Sequence, residues 1–174
     1  MLVCGVDVGL KRSYIAVLQG RKLIQCDVYS GVVECDAVGI DAPLSFPKSG
    51  QLRDCERQLL EMGIRLFPSG AEFFRPIVER GMQIAEDFRN AGITVFEVYP
   101  YATRKILGIA PKAKKFKREG REKILQELSK HVEGVENLSK HDEIDAVISA
   151  LTVVLYFEGK ARVIGENGIL IPSV

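Results

Sequence analysis

Two histidines and four cysteines are all that this chain of 174 residues offers a soft metal. Cys4, Cys26, Cys35 and Cys55 form no Cys-x-x-Cys pair, and His131 and His141 lie far from them in sequence. A structural zinc site is therefore not expected. Nor is a cysteine nucleophile; Cys4 and Cys26 fall in apolar strand patterns, where a thiol packs as a small hydrophobe. No apolar run approaches the ~18 residues of a membrane helix. Met1-Leu2-Val3 leads straight into a strand pattern, without a basic stretch and cleavage site, so no signal peptide is read and the cytoplasm is the expected compartment. Net charge is +1, so no global field steers the molecule toward a polyanion.

What the chain does have is a real core and oddly placed charge. It is 47% hydrophobic and 27% charged, the balance of a folded domain, and its length suits one domain over 1–174. Two apolar strand patterns each end on an aspartate: Leu2-Val3-Cys4-Gly5-Val6-Asp7 and Ala37-Val38-Gly39-Ile40-Asp41. A lone carboxylate is costly to bury, so each must be paired, hydrated or bound to a cation. Asp142 and Asp145 open a third apolar element. Carboxylates on separate rigid elements are how a hard, oxygen-seeking ion such as Mg²⁺ is held.

The chain reads as a mixed α/β layer fold. Residues 2–8, 13–19 and 22–29 suggest an antiparallel meander, and residues 36–41 a fourth strand stopped by Pro43. Helices are expected over 51–62 and from Pro76 to Asn90, then a fifth strand at Thr94–Val98. A short helix over 102–107, one over 120–131 and a long one from Ser139 to Phe157 follow. Ser139-Lys140-His141-Asp142 resembles a capping box with a shortened acid. Glu166-Asn167-Gly168 is expected to turn a C-terminal hairpin. A sheet order of 3-2-1-4-5 would make Asp7 and Asp41 lateral neighbours, with Glu97 one strand further on.

Gly5-Val6-Asp7-Val8-Gly9, Gly39-Ile40-Asp41-Ala42-Pro43, Phe74-Arg75-Pro76, Glu97-Val98-Tyr99-Pro100 and Asp142-Glu143-Ile144-Asp145-Ala146 occur in that order. Gly120-Arg121 and Ile164-Gly165…Gly168-Ile169 accompany them. Together they resemble the domain of unknown function family number 429, predicted ribonuclease H-like nucleases. The resemblance implies a ribonuclease H-like five-stranded mixed sheet flanked by helices, and metal-dependent phosphodiester cleavage. Residue by residue, Asp7 matches the first-strand acid, Asp41 the fourth-strand acid, and Asp142 or Asp145 the acid on the last helix. Glu97 has no settled counterpart and stays a possible site residue.

The leading expectation is hydrolysis of a nucleic-acid phosphodiester, in RNA or DNA, with two Mg²⁺ or Mn²⁺ ions ~3.5–4 Å apart. Asp7 would bridge the ions, with Asp41 and one of Asp142 and Asp145 completing the set; Asp145, flanking the apolar stripe, is favoured as the metal ligand. A basic stretch runs from Arg104 to Lys123, and within it Lys112, Lys114, Lys115, Lys117 and Arg118 are the candidate phosphate-binding residues. Each acid also has a structural reading: turn contacts for Asp7 and Asp41, a helix dipole for Asp142, and an ion pair with Arg75 or Arg104 for Glu97.

Two rivals are a nucleotide-binding protein related to actin-like kinases, suggested by Val6-Asp7-Val8-Gly9, and a non-catalytic module that binds nucleic acid or protein through 104–123. Phe73-Phe74 and Tyr99-Pro100-Tyr101 invite a base-stacking role, but their positions beside helices and strands point to the core.

Overall fold

The computed structural model describes residues 1–166 and 168–173. Its centre is one mixed sheet of seven strands: β1 (Leu2–Asp7), β2 (Tyr14–Gln19), β3 (Lys22–Val28), β4 (Ala37–Asp41), β5 (Thr94–Val98), β6 (Ala161–Ile164) and β7 (Ile169–Pro172). Their order is β3-β2-β1-β4-β5-β7-β6. The meander is antiparallel, and β4 and β5 add in parallel beside β1. The expected order 3-2-1-4-5 is present. The C-terminal hairpin, rather than standing apart, extends this sheet through a parallel pairing of β7 with β5. Asn167, in the turn expected for that hairpin, lies outside the described residues.

Among the described residues five α-helices cover the sheet: α1 (Asp54–Glu61), α2 (Arg75–Asn90), α3 (Pro100–Leu107), α4 (Arg118–Leu128) and α5 (His141–Phe157). The central strands are buried on both sides, which explains their near-continuous apolar sequence. Successive residues face opposite layers. Val3 and Ala37 pack in a core with α4 and α5; Cys4, Val6, Val38 and Ile40 pack in a second core with α2. Among the described residues, no helix is long and apolar enough to cross a membrane.

Strand parity then fixes the site. Gly5 and Asp7 share the Val3 face of β1; Gly39 and Asp41 share the Ala37 face of β4. All four look toward α5. A Cβ on Gly5 would stand 2.0 Å from the Ala146 carbonyl oxygen, and one on Gly39 would stand 2.6 Å from that of Ser149. The missing side chains let the α5 backbone lie directly on the two strands, which brings its first turns down to the acids. Gly39→Ala is accordingly expected to lift the helix, costing ~1–3 kcal/mol of stability as overpacking does. Urea titration reads the loss, and an unchanged midpoint would contradict the close fit.

Several sequence expectations need adjustment. α1 starts at Asp54, not residue 51, because Arg53 takes an extended N-cap conformation and its backbone N–H donates to Glu56. α4 runs earlier than expected, from Arg118 to Leu128. The cap of α5 uses Glu143, which accepts from the Lys140 N–H at 2.9 Å, and not Asp142. That leaves Asp142 free of capping. Finally, Phe73 is 67% exposed rather than core, because Glu72–Phe74 forms a single 3-10 turn on the surface, leading into α2.

Candidate metal centre

Asp7 and Asp41 are direct lateral partners across the parallel β1–β4 pair, so their carboxylates project side by side. Asp145, on the second turn of α5, descends onto them over the two glycines. Asp7 and Asp145 are buried and Asp41 is half-buried. One oxygen from each lies within 4.8 Å of the others, and no other trio of His, Cys, Asp or Glu gathers in this way among the described residues. Asp142 is half-buried one turn earlier and adds, as the smallest of the named causes, to the rise in the Asp7 pKa. His141 Nδ1 lies 3.1 Å from Asp142 Oδ1 but lacks hydrogen-bond alignment.

Packing three carboxylates into a partly dry site raises their cost. Burial first, and then the Asp41 and Asp145 charges, push Asp7 up to about 11. Burial and Asp145 push Asp41 up to about 7, against the opposing pull of Asp7 and Lys115. Burial and the two neighbouring carboxylates thus disfavour the charged form of Asp7. The donor set fits a hard divalent ion: every ligand is a carboxylate oxygen, and their 4.8 Å spread compares with ~4 Å across the shell of one Mg²⁺.

Lys115 is where the structure departs most from the sequence reading. Expected as a surface phosphate ligand, it reaches inward, and its Nζ lies 2.5 Å from Asp145 Oδ2. Burial opposes its charge, but Asp145, Asp41 and Asp7 outweigh that and hold its pKa above the ordinary lysine value. The placement is built in. Arg104, buried, donates from its guanidinium to the carbonyls of Ile109, Ala110 and Ala113, which sets the path of the α3–α4 loop. Arg121 holds the Lys115 carbonyl itself. Lys112, Lys114, Lys117 and Arg118 on the same loop and helix start are exposed, and Arg118 also pairs with Glu122.

Glu97 does not join the acids. Its lateral partner is Ile40, so it points to the opposite face of the sheet from Asp41. There Arg53 clasps both of its oxygens, at 2.8 and 2.6 Å, and the Leu44 N–H donates to it as well. The partner is Arg53, neither Arg75 nor Arg104. The β4–β5 register carries this information: with position 97 opposite 40, it cannot share a face with position 41. Glu97→Gln is thus expected to cost ~2–3 kcal/mol as a charged hydrogen bond is lost, yet leave Mn²⁺ affinity within about twofold. Paired urea melts and calorimetry separate the two, and loss of ion binding would return Glu97 to the site.

The topology is that of a ribonuclease H-like fold. The structure described as "T. thermophilus RuvC in complex with Holliday junction substrate" is similar over 91% of this chain and 97% of that chain, with a TM-score of 0.54 and 13% sequence identity. A second structure of Thermus thermophilus RuvC covers the same shares at 13% identity with a TM-score of 0.50. At that identity the similarity establishes the fold. No curated protein matches the chain. The family described as "Protein of unknown function (DUF429)" matches residues 60–168, more than half of the sequence, and the chain belongs to it. The matched segment carries Lys115, Asp142 and Asp145, while Asp7 and Asp41 lie before it.

Proposed function

We propose that this protein is a divalent-metal-dependent nuclease that hydrolyses nucleic-acid phosphodiester bonds. The observation that carries the reading is the convergence of Asp7, Asp41 and Asp145 oxygens from three separate elements onto one point. Asp7, between its two strand neighbours, is central and would touch both ions; Asp41 and Asp145 would hold one each, with Asp142 supporting Asp7. Mg²⁺ or Mn²⁺, when bound there, supplies Lewis-acid activation of water and stabilisation of the leaving oxygen.

The chain's own residues do the rest. Asp7 would hold such an ion as the carboxylate, its proton passing to solvent. Lys115, no longer needed by Asp145, offers its ammonium to a non-bridging phosphate oxygen. Lys112, Lys114, Lys117 and Arg118, exposed on the segment that delivers Lys115, grip the flanking backbone. The RuvC neighbour, in complex with a Holliday junction substrate, supports nucleic acid as the partner.

The test is a cleavage screen over single strands, duplexes, hybrids and four-way junctions of RNA and DNA, with Mn²⁺ or EDTA. Cleavage that requires Mn²⁺ and vanishes in Asp7→Asn is expected. A wild-type protein that binds nucleic acid but cuts none of these substrates would instead be a non-catalytic binding module. Replacing Lys114 and Lys117 together by Ala should weaken binding across all sequences and reduce the log–log salt slope by about 2, roughly one per contact. A slope that does not move would place the nucleic acid on another face.

A further inference from the structure

Beside the acids lies a small cavity of about 80 Å³, several times the space that one buried water needs. Asp41 lines it, as do Leu66, Phe67, Phe74, Val98 and Tyr99. One lining ring, Phe67, leaves most of its surface in water, and Phe73 stands against it just outside the lining. Phe67 is 65% exposed and Phe73 67%. With Phe74 they form one cluster, ring centroids 5.6–6.1 Å apart. Folding alone gives no reason to leave such rings in water, and contiguous apolar surface of this kind marks a contact site.

The rings are also mounted rigidly with respect to the acids. Ser69, two residues after Phe67, is fully buried; its N–H and hydroxyl both donate to Glu56. Arg53 donates to the Ser69 hydroxyl and to Glu56, and clasps Glu97 on β5. Glu97 accepts from Leu44, three residues beyond Asp41. A buried network of three charged side chains thus ties the aromatic segment to the strand ends that carry the site.

We propose that this cavity receives a nucleobase of the substrate, unstacked from its neighbours and lying on Phe67, which Phe73 buttresses edge-on. The inference rests on the nuclease reading and deepens it: the substrate is a nucleic acid with an unpaired base beside the scissile linkage, such as a bulge, loop, junction or single strand. The wall chooses the occupant. Arg53 is already satisfied by two carboxylates and Asp41 stands at the edge, so an anion finds no free cation there. A flat uncharged ring finds aromatic faces. Because Asp41 belongs to both places, the occupant of the cavity sits within a linkage or so of what the acids bind. A base that is already unpaired enters at least cost.

The experiment measures binding by fluorescence anisotropy at low salt, with Ca²⁺ in place of Mn²⁺. It compares a duplex carrying one bulged base with a fully paired duplex of equal length. Wild-type protein is expected to prefer the bulge by roughly tenfold; Phe67→Ala and Phe73→Ala should each lose most of that preference without weakening the paired duplex, and Phe67→Tyr should retain it. Both rings are exposed, so the alanine variants should melt as the wild type does; calorimetry should show their Mn²⁺ binding intact. A bulge preference that survives both alanine substitutions overturns the proposal, as does the absence of any preference in the wild type. A light-scattering shift from dimer to monomer in Phe67→Ala would also overturn it, since the rings would then cover a second copy of the chain. Failure of the nuclease reading looks different: neither duplex binds, while the variants remain indistinguishable from the wild type.

Discussion

Asp7→Asn is expected to give a protein that melts higher than the wild type and binds Mn²⁺ at least 100-fold more weakly. The two effects share a cause. Asp7 is buried against Asp41 and Asp145, and its folded pKa is raised to about 11 from an ordinary carboxylate value near 4. The sign follows from proton linkage. Between those two values the folded state keeps a proton that the unfolded chain has released, so metal-free stability falls as pH rises. Asn removes that penalty. Relief of ~1–2 kcal/mol, in line with substitutions that relax a strained site, corresponds to roughly 2–8 °C for a chain of this size. The gap between variant and wild type should widen from pH 5 to pH 9, within the window the two values set. Even neighbours of metal ligands are worth ~10–100-fold in affinity, so loss of the central ligand should exceed that. Thermal melts across pH, with and without Mn²⁺, read both quantities. A variant that melts lower at every pH would mean that Asp7 is a structural acid after all.

Lys115→Met is expected to do the reverse: destabilise the metal-free protein and tighten the ion. The ammonium neutralises Asp145, whose side chain is 4% exposed. Removing one partner of a buried pair costs ~3–5 kcal/mol; Lys115 is itself about one-third exposed, so a loss of about 2 kcal/mol is the better expectation. A cation entering the variant no longer has to break that contact, and its dissociation constant should fall roughly tenfold for every ~1.4 kcal/mol spared. Mn²⁺ should therefore raise the melting temperature of the variant more than that of the wild type. If the site serves catalysis as proposed, the tightly metallated variant should still cut slowly, having lost the charge that meets the phosphate. Equal Mn²⁺ affinity in the two proteins would remove Lys115 from the account.

Much of this was visible in the sequence, and for physical reasons. An acid closing an apolar strand is conspicuous because apolar strands tolerate charge so poorly, and this picked out Asp7 and Asp41. The apolar stripe of the last helix placed Asp145 toward the sheet. The meander and its parallel additions followed from turn residues and run lengths. What escaped were contacts made by long side chains across loops. Lys115 is one of many basic residues between 104 and 123, and no periodicity tells the inward one from the solvated ones; that is decided by Arg104 reaching three carbonyls of the loop. Arg53 fell inside the helix expected over 51–62, where nothing marked it as reaching the sheet, so the partner of Glu97 was missed. Its exclusion from the acids waited on the β4–β5 register, which pairs residue 97 with residue 40 and not 41. Phe73 was misread because apolar character argues for burial, and only the tertiary structure shows how much of the ring stays in water.

The helix that lies on Gly5 and Gly39 is built from the last third of the chain. Two of the three acids lie on strands synthesised well before it, and they stay apart from the third until His141–Phe157 has left the ribosome and docked. A prematurely terminated product that stops short of that helix carries no complete set of ligands. The acidic cluster is therefore a property of the finished fold, and no such amino-terminal fragment can assemble it.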